Sequence, residues 1–173
     1  MGSLKERKGL TAMKGAPLVL VGNPVAAGDK APDFKVISND LVPVTLGSYR
    51  GKALVIASVP SLDTSVCDIE TRRFNQEASA LGGVTVLTIS MDLPFAQKRW
   101  CGAADVRSVV TLSDHKEASF GKAYGVLIKE KRLLARAVFV VDREGTVRYA
   151  EIVDDLSHEP NYKAALDAAR KVV

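Results

Sequence analysis

The sequence predicts an α/β fold: a central mixed β-sheet flanked by helices, with a β-hairpin added at the N-terminal side. Three observations predict it. The apolar run Leu54–Val59, a helical pattern from about Val66 to Leu81 and the β-branched run Val84–Ser90 follow one another. A strand–helix–strand succession of that length implies a parallel crossover. Two further apolar segments, Arg136–Val141 and Thr146–Ile152, flank Asp142-Arg143-Glu144-Gly145, which is a hairpin signal. After Pro160, the residues Tyr162, Leu166, Ala169 and Val173 fall at helical spacing.

Taken in order, residues 1–16 read as a basic, poorly ordered tail and residues 17–173 as a single domain. Leu18–Val21 and the residues after Pro24 are expected to pair around Gly22-Asn23, because Gly and Asn tolerate positive φ. Gly28–Asp33 is a loop, and Phe34–Ile37 a short strand. Gly82-Gly83 stops the first helix. Pro94 opens the second, a position where its missing N–H costs nothing. Val109–Leu112 is the third core strand, His115–Tyr124 the third helix, and Glu151–Glu159 a solvated acidic loop. This order matches a thioredoxin-like α/β sandwich.

Composition narrows the function. At 173 residues the chain can bury one proper core, and 47% hydrophobic with 25% charged residues places it among globular proteins. The longest apolar runs, such as Ala137–Val141, are strand-sized, so no membrane partner is expected. Lys5, Arg7, Lys8 and Lys14 against Glu6 supply about three of the four net positive charges. The body is therefore nearly neutral, which argues against a nucleic-acid partner. Leu18–Val21 is too short for the apolar core of a secretion signal, and no small-residue cleavage site follows. Glu6 occupies the position where myristoylation needs Ser or Thr. The expected compartment is a reducing cytoplasm, where two cysteines are catalytic or inert rather than structural.

The chemistry concentrates at Cys67. It lies where the strand Leu54–Val59 turns into a helix, in the run Pro60-Ser61-Leu62-Asp63-Thr64-Ser65-Val66-Cys67. A thiol there sits in the positive field of the first helical turn, which favours the nucleophilic thiolate. Positions 67, 71, 74, 78 and 81 form one stripe carrying Phe74, Ala78 and Leu81, so the sulfur is expected to be only partly exposed. For a lone cytosolic cysteine, a small buried hydrophobe is the commoner reading. Three neighbours reverse that. Thr64, three residues earlier, lies in the capping region of the helix, with Asp63 and Ser65 as competing caps, and its hydroxyl can point at the sulfur. Pro60 ends the strand and removes a donor, either as a plain terminator or as a screen against water. Arg136 opens an apolar strand, an awkward place for a fixed charge unless an anion receives it or its head snorkels to solvent.

Cys101 stands between Trp100 and Gly102 on the second helix, and Gly102 lowers the cost of opening that helix. On its own it reads equally as filler. Other patterns are weak. Gly47–Ala53 is one residue short of a phosphate loop, no Cys-x-x-Cys occurs, and His115 and His158 lack zinc-ligand spacing with either cysteine.

At these residues the chain resembles the peroxiredoxins, and specifically their bacterial thiol peroxidase subgroup. The family pattern Pro-x-x-x-Thr-x-x-Cys is matched by Pro60, Thr64 and Cys67, and Arg136 fits the family's catalytic arginine. Gly28–Phe34, the run Leu46–Lys52, and Asp92–Gly102 around Cys101 extend the likeness, which covers roughly residue 14 onward. The resemblance implies a peroxidatic Cys67 that reduces hydrogen peroxide and alkyl or lipid hydroperoxides and becomes a sulfenic acid. It also implies a resolving Cys101 that forms a Cys67–Cys101 disulfide within the chain, recycling by thioredoxin or a similar dithiol protein, and a homodimer. No metal or organic cofactor is implied. The alternatives are a non-enzymatic redox sensor or thioredoxin-like partner-binding module, and a one-cysteine peroxidase in which Cys101 is incidental.

Overall fold

The computed structural model describes residues 3–173, the side chains of Ala78 and Ser79 aside. The sequence places Ala78 on the core stripe of the first helix; its side chain lies outside the described residues. Among the described residues, ten strands form two sheets, and four α-helices lie between or after them. β1 (Glu6–Met13), β2 (Ala16–Val21) and β8 (Leu127–Ile128) form a small sheet in the order β1-β2-β8. β3 (Lys35–Ser38), β4 (Pro43–Thr45), β5 (Ala53–Ser58), β6 (Val84–Ser90), β7 (Val109–Ser113), β9 (Ala137–Val141) and β10 (Val147–Ile152) form the main one. Its order is β10-β9-β5-β6-β7-β3-β4. β5–β6 and β6–β7 are parallel and the remaining pairs antiparallel.

Strand alternation divides the core into two layers. Leu54, Ile56, Leu87, Ile89, Ala137 and Phe139 face one side of the main sheet. There they meet Phe120 of α3 (Ser119–Ala123) and Leu18 and Leu20 of the small sheet. The intervening residues Val55, Ala57, Val86, Val138 and Val140 face the other side. They pack on Phe74 of α1 (Ser65–Leu81) and on Tyr162, Ala165, Leu166 and Ala169 of α4 (Tyr162–Arg170). Trp100 and Ala104 of α2 (Pro94–Ala104) join the same layer. α1 stops at Gly82 and Gly83, both with positive φ, as their sequence suggests. No helix among the described residues is long and apolar enough to cross a membrane.

Four expectations are corrected. Residues 6–13 are a strand, not a loose tail, so the expected boundary at residue 16 falls inside a hairpin. The hairpin turns at Lys14-Gly15, both left-handed as a two-residue loop requires, and not at Gly22-Asn23. Its charges conceal the strand, and besides its pairing with β2 it has remote anchors. Thr11 Oγ1 donates to the Val153 carbonyl at 2.9 Å and Arg7 Nη1 to that of Gly125 at 2.9 Å.

The third helix is confined to Ser119–Ala123. Asp114 accepts the N–H groups of Phe120 and Gly121 and fixes a loop before it, and Ala118 turns left-handed. The acidic stretch is not simply solvated, since Val153, Asp155 and Leu156 are buried. The Asp155 carboxylate receives the N–H groups of Lys14, Gly15 and Ser157. Finally, β4, the 3-10 turn Leu46–Tyr49 and β8 carry no sequence signal of their own.

Candidate active site

β5 delivers the chain to the site. Val59 N–H makes the last bond along β6, to the Ile89 carbonyl at 3.0 Å, and Pro60, buried and without an N–H, ends the ladder there. The chain bends through Ser61–Asp63 and enters α1 at Thr64, whose extended backbone and side chain form the N-cap. Thr64 Oγ1 accepts the Cys67 N–H at 3.4 Å and gives its own proton to the Ser61 carbonyl at 3.2 Å. Thr64 is thus the helix cap, with its hydroxyl proton directed to Ser61 rather than to the sulfur.

Cys67 is fully buried at 0% exposure, deeper than the partial exposure that its stripe suggested. Val59 and Leu62 close on it, and Trp100 of α2 packs against the same cluster. Thr71 and Phe74 continue the buried stripe.

Arg136 reaches this sulfur from the residue before β9. Its side chain is 1% exposed, so the reading in which its head lies in solvent does not hold. Nη2 donates to Cys67 Sγ at 3.3 Å and to the Leu156 carbonyl at 2.7 Å. Nε donates to the same carbonyl at 3.2 Å, and Nη1 to Glu70 Oε2 at 2.6 Å. A planar guanidinium held at three of its edges keeps one donor aimed at the sulfur.

Glu70 and the Leu156 carbonyl escape the sequence reading. Glu70 lies three residues after Cys67, on the same buried face of α1, and that spacing is the one signal of it. Burial pushes the Glu70 carboxyl up to about 7, against the opposing pull of Arg136. Burial also works against the Arg136 charge, but Glu70 and the Cys67 sulfur outweigh it and hold the guanidinium above its ordinary range. The second carboxylate oxygen, Oε1, is buried with no hydrogen-bond partner among the described residues.

Cys101 is half-buried on α2, its Sγ 3.3 Å from Thr111 Oγ1 of β7. Thr111 Oγ1 in turn bonds the Asn39 amide. Both cysteines are free thiols with different partners. Arg136 and the Thr64 cap thus both contact Cys67, Pro60 ends the strand that leads to it, and the Cys101 thiol is bonded to Thr111 instead. Asp92, at the entry to α2, ties the two regions. It accepts Ser61 Oγ at 2.7 Å and the Leu62 N–H at 2.8 Å.

This arrangement, a buried thiol at a helix start facing a fixed guanidinium, suits nucleophilic attack in which negative charge is received by donors already in place. Comparison with known proteins agrees with it. The profile of the family described as Redoxin matches residues 26–166. The protein named thiol peroxidase of Halalkalibacterium halodurans is 57% identical over 157 residues, 91% of this chain and 95% of that one. Its namesake in Bacillus subtilis is 55% identical over 160 residues, 92% and 96% of the two chains. Among solved structures, a peroxiredoxin-like protein from Aquifex aeolicus superposes with a TM-score of 0.89 at 39% identity, covering 99% of this chain and 100% of that one. The layered sheet is thus the thioredoxin-like fold, and the chain belongs to the Redoxin family, among the peroxiredoxins of the thiol peroxidase type.

Proposed function

We propose that the chain is a thiol-dependent peroxidase in which Cys67 is the attacking sulfur. The observation that carries this reading is the 3.3 Å contact between Arg136 Nη2 and Cys67 Sγ at the first turn of α1. The Cys67 thiolate attacks the terminal oxygen of a hydroperoxide. A sulfur–oxygen bond forms, the oxygen–oxygen bond breaks, and the leaving oxygen departs with a proton as alcohol or water. Sulfur is oxidised to the sulfenic acid and the peroxide is reduced. Arg136, with the N–H groups of the α1 start, stabilises the charge that grows on the leaving oxygen.

Cys101 then resolves this intermediate. Its thiol attacks the Cys67 sulfenic acid, the disulfide forms and water leaves. Because each sulfur begins on a different partner, this step needs local opening around α2. A dithiol protein such as thioredoxin returns both thiols. Leu93 and Phe95 are exposed at the start of α2, and Ile69 is exposed on α1 two residues after Cys67. These exposed apolar side chains suit alkyl hydroperoxides as well as hydrogen peroxide, and also the contact surface of a homodimer. A cytoplasmic setting fits a cycle that ends on a dithiol reductant.

The test is multiple-turnover reduction of cumene hydroperoxide with thioredoxin and its reductase. Wild type turns over, and Cys67→Ser falls to background. Full activity in Cys67→Ser overturns the assignment. A single stoichiometric oxidation of wild type, without recycling, favours the sensor reading instead.

A further inference from the structure

α2 carries Cys101 but is weakly built. Its N-cap residue, Leu93, makes no side-chain cap bond, and only Pro94 and Gln97 are buried along it, Gln97 tying it to the Ser90 hydroxyl at 3.0 Å and the Leu112 carbonyl at 2.8 Å. Gly102 in its interior weakens the helix relative to Ala. Its C-cap residue, Asp105, is a non-glycine held left-handed at φ 52°.

What fastens α2 to α1 is a cluster made by the sequence neighbours of the two cysteines. Asp68, next to Cys67, accepts the indole N–H of Trp100, next to Cys101, at 3.0 Å. Asp68 also accepts Arg72 Nε at 2.8 Å. Arg72 Nη1 donates at 3.2 Å to the carbonyl of Ala104, the last residue of α2, and the guanidinium lies 5.8 Å from the centre of the Trp100 ring. Trp100 thereby packs against Cys67, Val59 and Leu62 while the Cys101 thiol points to Thr111. Residues 100 and 101 project about 100° apart on a helix. Turning Cys101 toward Cys67 therefore turns Trp100 out of its seat.

We propose that Asp68, Arg72 and Trp100 form a clamp that times the release of Cys101, and that Trp100 is a positioning residue of the resolving step. The inference rests on the peroxidase reading above. While the clamp is shut, the Cys67 sulfenic acid meets a second hydroperoxide, gains its oxygen to become the sulfinic acid, and alcohol or water leaves. Once it opens, the Cys101 thiol attacks the same sulfur, the S–S bond forms, and the hydroxyl leaves as water with the thiol proton. The ease of opening sets the ratio of disulfide to sulfinic acid.

Trp100→Phe keeps a ring in the seat but removes the N–H, and Asp68→Ala removes the acceptor. Each full-length protein is treated with cumene hydroperoxide at stepped concentrations without reductant. The Cys67–Cys101 peptide and the Cys67 sulfinic acid are then quantified by mass spectrometry. Trp100→Phe is expected to raise the disulfide-to-sulfinic ratio about fivefold, the factor for release of one hydrogen bond, and Asp68→Ala, which also frees Arg72, by at least as much. Because both remove the same bond, the double variant should fall well short of the product of the two effects. Trp100 is the single tryptophan of the chain, so its fluorescence should also move earlier after oxidation in Asp68→Ala than in wild type. An unchanged or lowered ratio in both single variants, with wild type forming the disulfide, overturns the clamp and leaves the peroxidase reading standing. Fully multiplicative effects overturn it as well, since each change would then be loosening α2 independently. If wild type forms neither product, the peroxidase reading fails and the clamp with it.

Discussion

Arg136 is the residue on which the site turns. A guanidinium at 1% exposure is tolerable only because Glu70, the Leu156 carbonyl and the Cys67 sulfur satisfy it. The same three partners leave it little freedom, which is what a preorganised donor requires. Lysine carries the charge but not the fork, so it cannot span Glu70, the carbonyl and the sulfur together. Arg136→Lys is expected to lower kcat/KM for cumene hydroperoxide by roughly 10²–10³-fold, the usual loss for a missing oxyanion donor. Stopped-flow kinetics checks this, and a change of less than threefold would remove Arg136 from the chemistry. Cys67, Thr64, Pro60 and Arg136 were legible because each is odd for its place: a thiol and a cap at a helix start, a proline ending a strand, a charge opening an apolar run. Glu70 was not, since a glutamate on a helix ordinarily faces water. Only its spacing from Cys67 hinted otherwise. The Leu156 carbonyl is a backbone group, and no side-chain pattern announces it.

Among the elements, those with a strong period and a local stop signal were readable. β5, α1 and β6 lie within a residue or two of their expected bounds, and the hairpin between β9 and β10 turns at Asp142–Gly145 as expected. Elements created by distant partners were not. β1 is anchored by Val153 and Gly125, more than a hundred residues away, and a stretch of lysines and arginines reads locally as a tail. α3 lost its first half because the Asp114 carboxylate competes for the N–H groups of Phe120 and Gly121. α2 shows the converse. Its start at Pro94 was plain, yet nothing in its own sequence reports the bonds that Asp68 and Arg72 of α1 make to it.

For the whole molecule, buried carboxyls govern how stability varies with pH. Burial pushes Glu70 up to about 7 and Asp114 up to about 6, the latter against backbone N–H groups led by that of Gly121. Each folded-state value lies above the unfolded one, so between them the folded protein holds protons that the unfolded chain has released. Stability from these groups therefore falls as pH rises from about 4.5 to about 7. Asp155 acts oppositely. Hydrogen bonds led by the Ser157 hydroxyl hold it well below its ordinary 3.8, and that contribution disappears in stronger acid. Urea unfolding between pH 5 and pH 8 should show decreasing stability, and Glu70→Gln should flatten the slope between pH 5 and pH 7. An equally steep slope in that variant would show that Glu70 is not the titrating group.

All of this converges on the sulfur that Arg136 faces. With Cys101→Ser blocking resolution, one equivalent of hydroperoxide followed by dimedone traps whichever sulfur becomes a sulfenic acid, and tandem mass spectrometry locates it. A stoichiometric dimedone adduct on Cys67 is the expected result. An unlabelled Cys67 after the peroxide has been consumed would contradict it.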